Sequence, residues 1–209
     1  MGRHMARNIL KGGHDLTVFD LNRDAADELV SLGARWAANP GAVAQASQVV
    51  FTSLPRPQDV QEVALGEGGI LSGASPGMAY FDLSTTDPAT IERIAAAGNA
   101  QGVHVLDAPV SGGPRGAESR NLAIWVGGDR AVFDRCRPVL DAIGDKAYYV
   151  GEIGCGSIAK LVHNCTGYVI QAALAEVFTM GVKAGVEPLA LWQAVRKGAT
   201  GRRGPFEGL

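Results

Sequence analysis

The sequence predicts an α/β fold with a doubly wound, mostly parallel sheet, followed by one long helix. Three observations carry that reading. Short apolar runs recur between helical stretches from Leu16 to Val126, helix-start and helix-stop residues fall between those runs, and the alternation ends at Gly151–Gly156, beyond which an apolar stretch continues without Pro to about Ala184. Taken in order, Met1–Lys11 places Met5, Ile9 and Leu10 on one helical face, and Gly12-Gly13 stops it. Leu16–Phe19 is a short strand ending at Asp20, and Asp24–Leu32 a helix. Asn39 caps a further helix that has Pro40 in its first turn. Gln48–Thr52 reads as a strand closed by Ser53-Leu54-Pro55, Gln58–Ala64 as a helix and Met78–Asp82 as a strand. Asp87-Pro88 caps a helix that continues to about Ala100, and Val103–Asp107 and Leu122–Val126 complete the strands. The boundary before the long helix divides the chain at 153/154, and Arg202-Arg203-Gly204-Pro205 reads as a loop.

Bulk properties narrow the classes of function. A chain of 209 residues can bury a full core, and its formal net charge of −2 leaves no basic footprint for nucleic acid or an anionic membrane surface. Cys136, Cys155 and Cys165 lack CxxC spacing, which fits reduced thiols in a cytoplasm-like compartment and offers no zinc site. Cys165–Val182 approaches the length of a membrane span, but Gln171 and Glu176 interrupt it, so a buried helix is expected. The N-terminus shows no export signal, and no HExxH, G-x-S-x-G or clustered Cys/His motif occurs.

Helix, glycine stop, strand and acid form the second half of a βαβ dinucleotide-binding unit. Gly2 stands where the last glycine of the G-x-G-x-x-G turn would be, and Asp20 follows it by 18 positions. That is near the spacing at which an acid meets the ribose 2′-OH of NAD, although strand-end Asp residues also serve as turn or cap residues. Ligands in such sheets bind beyond the carboxyl ends of the strands, which directs attention to Ser53-Leu54-Pro55, Ser84-Thr85-Thr86 and Ala108–Gly113. Ser111-Gly112-Gly113 can aim successive N–H groups into one space and so hold a carboxylate; a flexible crossover has the same composition.

Gly154-x-Gly156 opens the long helix, with Lys160 and Asn164 four residues apart on one face. If Ser157 is its N-cap, Lys160 lies in the first turn, where the helix dipole disfavours a cation by roughly 0.3–1 kcal/mol. Partial desolvation adds to that, and the pair of effects would make Lys160 a general acid/base near neutral pH. A solvated surface lysine is the other reading.

Together these motifs resemble the β-hydroxyacid dehydrogenase family, which includes 3-hydroxyisobutyrate dehydrogenase and tartronate semialdehyde reductase and is akin to 6-phosphogluconate dehydrogenase. Met1-Gly2 with Met5-Ala6-Arg7-Asn8 is similar to the tail of the cofactor fingerprint, Asp107–Gly113 to the substrate motif, and Gly154–Asn164 to the catalytic motif. Leu54-Pro55 and Ser84-Thr85 are similar to turns lining the nicotinamide.

The resemblance implies a Rossmann-type domain over 1–153, without its first strand, and part of an all-helical domain over 154–209. It further implies NAD-linked, with NADP possible, oxidation of a small β-hydroxyacid to its semialdehyde or the reverse. Lys160 and Asn164 would be catalytic, Ser111, Gly112 and Gly113 would bind substrate, and Met1, Gly2, Asp20, Leu54, Pro55 and Thr85 would bind cofactor. A homodimer or homotetramer is implied as well. Arg23 keeps an NADPH-dependent semialdehyde reductase open, and a non-catalytic binding or assembly module of the same fold is the alternative outside enzymes. His163, where many relatives have Asn, is expected to be packed rather than catalytic. The family pattern extends beyond both ends of this chain, so an incomplete chain with two unpaired inner sheet edges is expected.

Overall fold

The computed structural model describes residues 1–199 and 201; the loop expected over 202–205 lies outside the described residues. The chain forms two compact units, Met1–Lys160 and Leu161–Leu209.

In the first unit, β3 (Val49–Thr52), β4 (Ala79–Asp82) and β5 (His104–Asp107) run parallel and adjacent. Next to β5 lies β7 (Ala123–Gly127), antiparallel to it; β7 also pairs antiparallel with β6 (Val110–Ser111) and parallel with β8 (Lys146–Gly151). β1 (Thr17–Val18) and β2 (Arg35–Trp36) form a separate parallel pair. Among the described residues β1 pairs only with β2 and β3 only with β4, so each has one edge without a ladder partner.

Burial on both faces explains why the central strands read as continuous apolar runs. Successive side chains of a strand point to opposite faces. Tyr80 and Val105 therefore join one core, with Val60, Ile70, Ile91 and Ile94 from helices α4 (Pro57–Leu65), α5 (Ile70–Gly73) and α6 (Pro88–Asn99). Phe81 and Leu106 join the other, with Met5 and Ile9 of α1 (Gly2–Lys11) and Phe133, Leu140 and Ile143 of α8 (Arg130–Ile143). Two apolar layers on one sheet are the doubly wound architecture expected from the alternation.

Local signals hold where a side chain caps a helix. Asn39 accepts the Ala42 N–H at the start of α3 (Pro40–Gln45), Asp87 accepts that of Thr90 at the start of α6, and Gly13 takes a φ of 83° just beyond α1. Elsewhere the structure differs from the expectation. The first strand shrinks to Thr17–Val18. The helix expected over Asp24–Leu32 is a 3₁₀ turn, Arg23–Ala26, followed by α2 (Asp27–Ser31), because Asn22 accepts the Asp24 N–H and tightens the entry. β2, α5, β6, α7 (Gly113–Ser119), α8 and β8 are additional to the elements expected.

The long helix α9 spans Cys155–Lys183. Its continuation in the second unit corrects the buried-helix expectation: Val162, Tyr168, Val169, Val177 and Met180 are each at least 60% exposed. Within that unit α10 (Pro188–Lys197) packs on the far part of α9, through a Phe178–Trp192 ring contact at 5.4 Å and Leu191 against Gly181. Ile158, Tyr168, Val169 and Val177 of α9 are more than half exposed. By length and composition alone α9 could cross a membrane. His163, expected to be packed, is exposed, though it keeps an interaction with a neighbour.

Candidate active site

Asp82 and Asp107 face each other as register partners at the carboxyl ends of β4 and β5, each 1% exposed. Oδ1 of Asp82 accepts the hydroxyls of Ser84 (2.6 Å) and Thr52 (2.8 Å), and Oδ2 accepts that of Thr86 (3.0 Å). Thr52 thus gives its single proton to Asp82, so the Tyr80 hydroxyl, 3.0 Å away, donates to Thr52 Oγ1. Burial pushes the Asp82 carboxyl above the usual carboxylate range, and the hydroxyl donors only partly offset it. Burial, reinforced by the neighbouring Asp82, also pushes the Tyr80 phenol up.

This network joins the turns expected to line a cofactor. Ser84 Oγ accepts the Leu54 N–H at 2.9 Å, so Ser53-Leu54-Pro55 is tied to Ser84-Thr85-Thr86. Pro55 and Thr85 are exposed on those turns. Gly2 lies beside the same place: a Cβ built on it would have Ser53 Cβ as its nearest neighbour, at 3.9 Å. α1 has no side-chain cap and no acid in its first turn; the Met1 carbonyl accepts the His4 N–H. A helix start left in that state suits a phosphate group, and Gly2 keeps the approach open. Asp20 is exposed at the end of β1, where one oxygen accepts the Asn22 N–H at 2.9 Å. The Arg23 guanidinium stacks over the Trp36 ring at 4.6 Å. These features fit a dinucleotide laid across α1, β1 and the two turns.

Asp107 serves the other half of the site. Its Oδ1 accepts the Gly154 N–H at 2.8 Å and its Oδ2 the Ser157 N–H at 2.6 Å, so it caps α9 from a distant strand. The N-cap is therefore not Ser157, which lies inside the helix, and Lys160 is the sixth helical residue instead of a first-turn one. Burial, not the helix dipole, lowers the Lys160 ammonium below the ordinary lysine range, since the dipole fades beyond the first turn. Lys160 is 9% exposed and its Nζ lies 5.7 Å from the Trp125 ring centroid.

Strand β7 brings the lysine and the substrate motif together. Ser111 of β6 pairs with Ala123, two residues before Trp125. Opposed residues of an antiparallel pair, and residues two apart on a strand, share a face. Ser111 and Trp125 therefore point to the side on which Lys160 Nζ sits. Beyond Ser111, Gly112 and Gly113 have φ of 136° and 62°, a backbone that glycine adopts readily, as α7 begins. Asn164 lies four residues beyond Lys160 on α9, in the second unit, and is half-buried. No group of His, Cys, Asp or Glu suited to a metal occurs among the described residues.

Sequence reasoning did not find Asp82, Thr52, Tyr80 and Thr86 as one network, nor Asp107 as the cap of α9. The Asp82-x-Ser84-x-Thr86 spacing carries a local signal, since hydroxyls two and four residues past a strand-end Asp can fold back on it. The Asp107 contacts reach 47 and 50 residues along the chain and leave no local trace.

Residues 1–151 match the family model described as the NAD binding domain of 6-phosphogluconate dehydrogenase. The chain is 39% identical over 197 residues to 2-(hydroxymethyl)glutarate dehydrogenase of Eubacterium barkeri, with 94% of this chain and 65% of that protein covered. To 3-hydroxyisobutyrate dehydrogenase of Pseudomonas aeruginosa it is 37% identical over 201 residues, with 96% and 67% covered. The solved structure of Mycobacterium tuberculosis 3-hydroxyisobutyrate dehydrogenase with L-serine superposes with a TM-score of 0.87 at 33% identity, covering 96% of this chain and 68% of that one. The chain thus spans about two thirds of the length of these relatives. A cofactor-domain match along the first 151 residues and relatedness that continues through α9 place the chain in the β-hydroxyacid dehydrogenase family, with an NAD-binding domain of the 6-phosphogluconate dehydrogenase type.

Proposed function

We propose that this chain carries the cofactor half and the acid/base lysine of an NAD-preferring oxidoreductase acting on a small β-hydroxyacid or its semialdehyde. The observation that carries the reading is a buried lysine, lowered below its ordinary range, on the same side of β7 as Ser111, which opens a Ser-Gly-Gly turn. The nicotinamide supplies a hydride acceptor, or a donor in reduction. Lys160, as the neutral amine, takes the hydroxyl proton when the alcohol is oxidised and as ammonium returns it in reduction. Ser111, Gly112 and Gly113 hold the substrate carboxylate and so fix which carbon is presented. Asn164 orients the substrate oxygen or Lys160.

Met1 and Gly2 receive the phosphates, Leu54, Pro55 and Thr85 flank the nicotinamide, and Asp20 takes the ribose hydroxyls. An exposed carboxylate repels a 2′-phosphate, and Arg23 is engaged on Trp36; both favour NAD over NADP. Residues 1–153 act as the dinucleotide domain and 154–209 as part of a helical domain. The exposed apolar face of α9 supports a homodimer or homotetramer, and the three free thiols support a cytoplasmic setting.

The test is calorimetric titration of NAD and NADP, followed by a screen of small β-hydroxyacids by reduced-nicotinamide absorbance, with Lys160→Ala alongside. NAD should bind more tightly than NADP, and Lys160→Ala should bind NAD but lose about 10²–10⁴-fold in turnover. Oxidation should speed up as pH rises, with its inflection below the ordinary lysine range, because neutral Lys160 is the reacting form. A folded chain that binds neither cofactor would favour the non-catalytic module.

A further inference from the structure

We propose that Asp107 is the positioning residue for Lys160: by accepting the Gly154 and Ser157 N–H groups it fixes the first turn of α9 to the end of β5, and so fixes where the lysine stands. The inference rests on Lys160 being the acid/base group. Asp107 is buried and both its oxygens are engaged by backbone amides of one helix start, at 2.8 and 2.6 Å. Those amides are donors without intrahelical partners, and they cannot rotate toward another acceptor. Lys160 follows Ser157 by three residues, so a shift of that turn carries the lysine with it.

Two glycines make the junction close-fitting. A Cβ on Gly127, at the end of β7, would stand 2.5 Å from Asp107 Oδ1 and 2.9 Å from the Gly156 nitrogen. On Gly156 it would collide with the Trp125 carbonyl and stand 2.8 Å from that of Asp107. Three backbones therefore close around the Asp107 carboxylate: the end of β5, the end of β7 and the first turn of α9. Because β5 leads straight into the substrate turn Ala108–Gly113, the same carboxylate ties that turn to the proton-transfer group across a gap of about fifty residues in sequence. A 1 Å displacement is enough to damage such geometry.

The experiment follows Lys160 by NMR in the full chain labelled with ¹³Cε-lysine, assigned with Lys160→Arg. Wild type should show Lys160 ring-shifted by Trp125 and slow amide exchange at Gly154 and Ser157. In Asp107→Asn, which keeps one acceptor and puts an NH₂ against the other amide, the ring shift should collapse and both amides should exchange at least tenfold faster. Gly156→Ala, which leaves Asp107 intact but pushes the turn away, should give the same loss of ring shift. An unchanged Lys160 resonance in a folded Asp107→Asn, or fast exchange of the two amides in wild type, overturns the proposal; the second holds even if both variants fail to fold. Titrating the same resonance keeps the two ideas apart. A ring-shifted Lys160 that titrates with Lys11, Lys146, Lys183 and Lys197 would sink the acid/base reading while leaving the clamp in place.

Discussion

Asp82 and Asp107 stand opposite one another on adjacent strands, equally buried, yet they are satisfied by different chemistry. Asp82 is held mainly by hydroxyls of Thr52, Ser84 and Thr86, each on a rotatable bond, with one backbone amide, that of Ser84 at 3.2 Å, beside them. Asp107 is held by two backbone amides fixed in a helix start. Rotatable donors can turn to one another when an acceptor is lost; helix-start amides cannot. One carboxylate therefore organises two turns through a network that adapts, whereas the other fixes one helix in one place. The adaptable network lies under the proposed nicotinamide turns and the fixed joint under the lysine.

The widest separation should come from alanine at each position. Asp107→Ala strands two buried N–H groups at about 1–3 kcal/mol each, a loss of about 2–6 kcal/mol. In Asp82→Ala the hydroxyls can reorient and one N–H, that of Ser84, is left without its acceptor instead of two, which limits the loss to about 1–3 kcal/mol. Urea unfolding of both variants checks this, and equal losses would abolish the distinction.

What was legible in the sequence follows the same division between local and distant partners. The strands at Val49–Thr52, Ala79–Asp82 and His104–Asp107 and the caps at Asn39 and Asp87 depend on neighbours a few residues away, and all are found where expected. α8 had the same kind of signal, with Asp129 as N-cap and Val132, Phe133, Cys136, Leu140 and Ile143 on one face. Pro138 in its middle argues against a helix in sequence terms, and packing overrides it. With Ser157 as N-cap the start of α9 falls three residues too late, because its cap is Asp107, not a residue of its own segment. Lys160 itself was legible as an oddity in an apolar run, but the cause of its lowered range, burial beside Trp125, depends on a strand 35 residues away.

Protonation offers a finer separation of the two acids. Asp82 has a folded-state range raised above that of an unfolded Asp, about 3.9. Between those two values the native state holds the extra proton, so the contribution of Asp82 to stability is full below pH ~4 and is lost as pH rises through the window up to the raised folded value. Asp82→Asn carries no such proton. Its stability relative to wild type should therefore improve steadily as pH rises from 4, measured by urea unfolding at successive pH values. A difference between the two proteins that does not change with pH would show that Asp82 titrates as an ordinary carboxyl.

Removing single hydroxyls gives the smallest effects and grades the network from within. Thr86→Val deletes one bond to Asp82 Oδ2 and should cost about 1 kcal/mol. Because that bond favours the ionised form, its loss should also raise the Asp82 range further and extend the window of declining stability to higher pH. Thr52→Val should cost more, since the Tyr80 hydroxyl, fully buried, loses its acceptor in the same step. Ser84→Ala removes a donor to Asp82 and the acceptor of the Leu54 N–H together, so it alone should loosen the 53–55 turn as well. Amide exchange at Leu54 separates the three: faster in Ser84→Ala and unchanged in both threonine variants. Faster exchange in all three would mean that the turn is held by the network as a whole and not by Ser84.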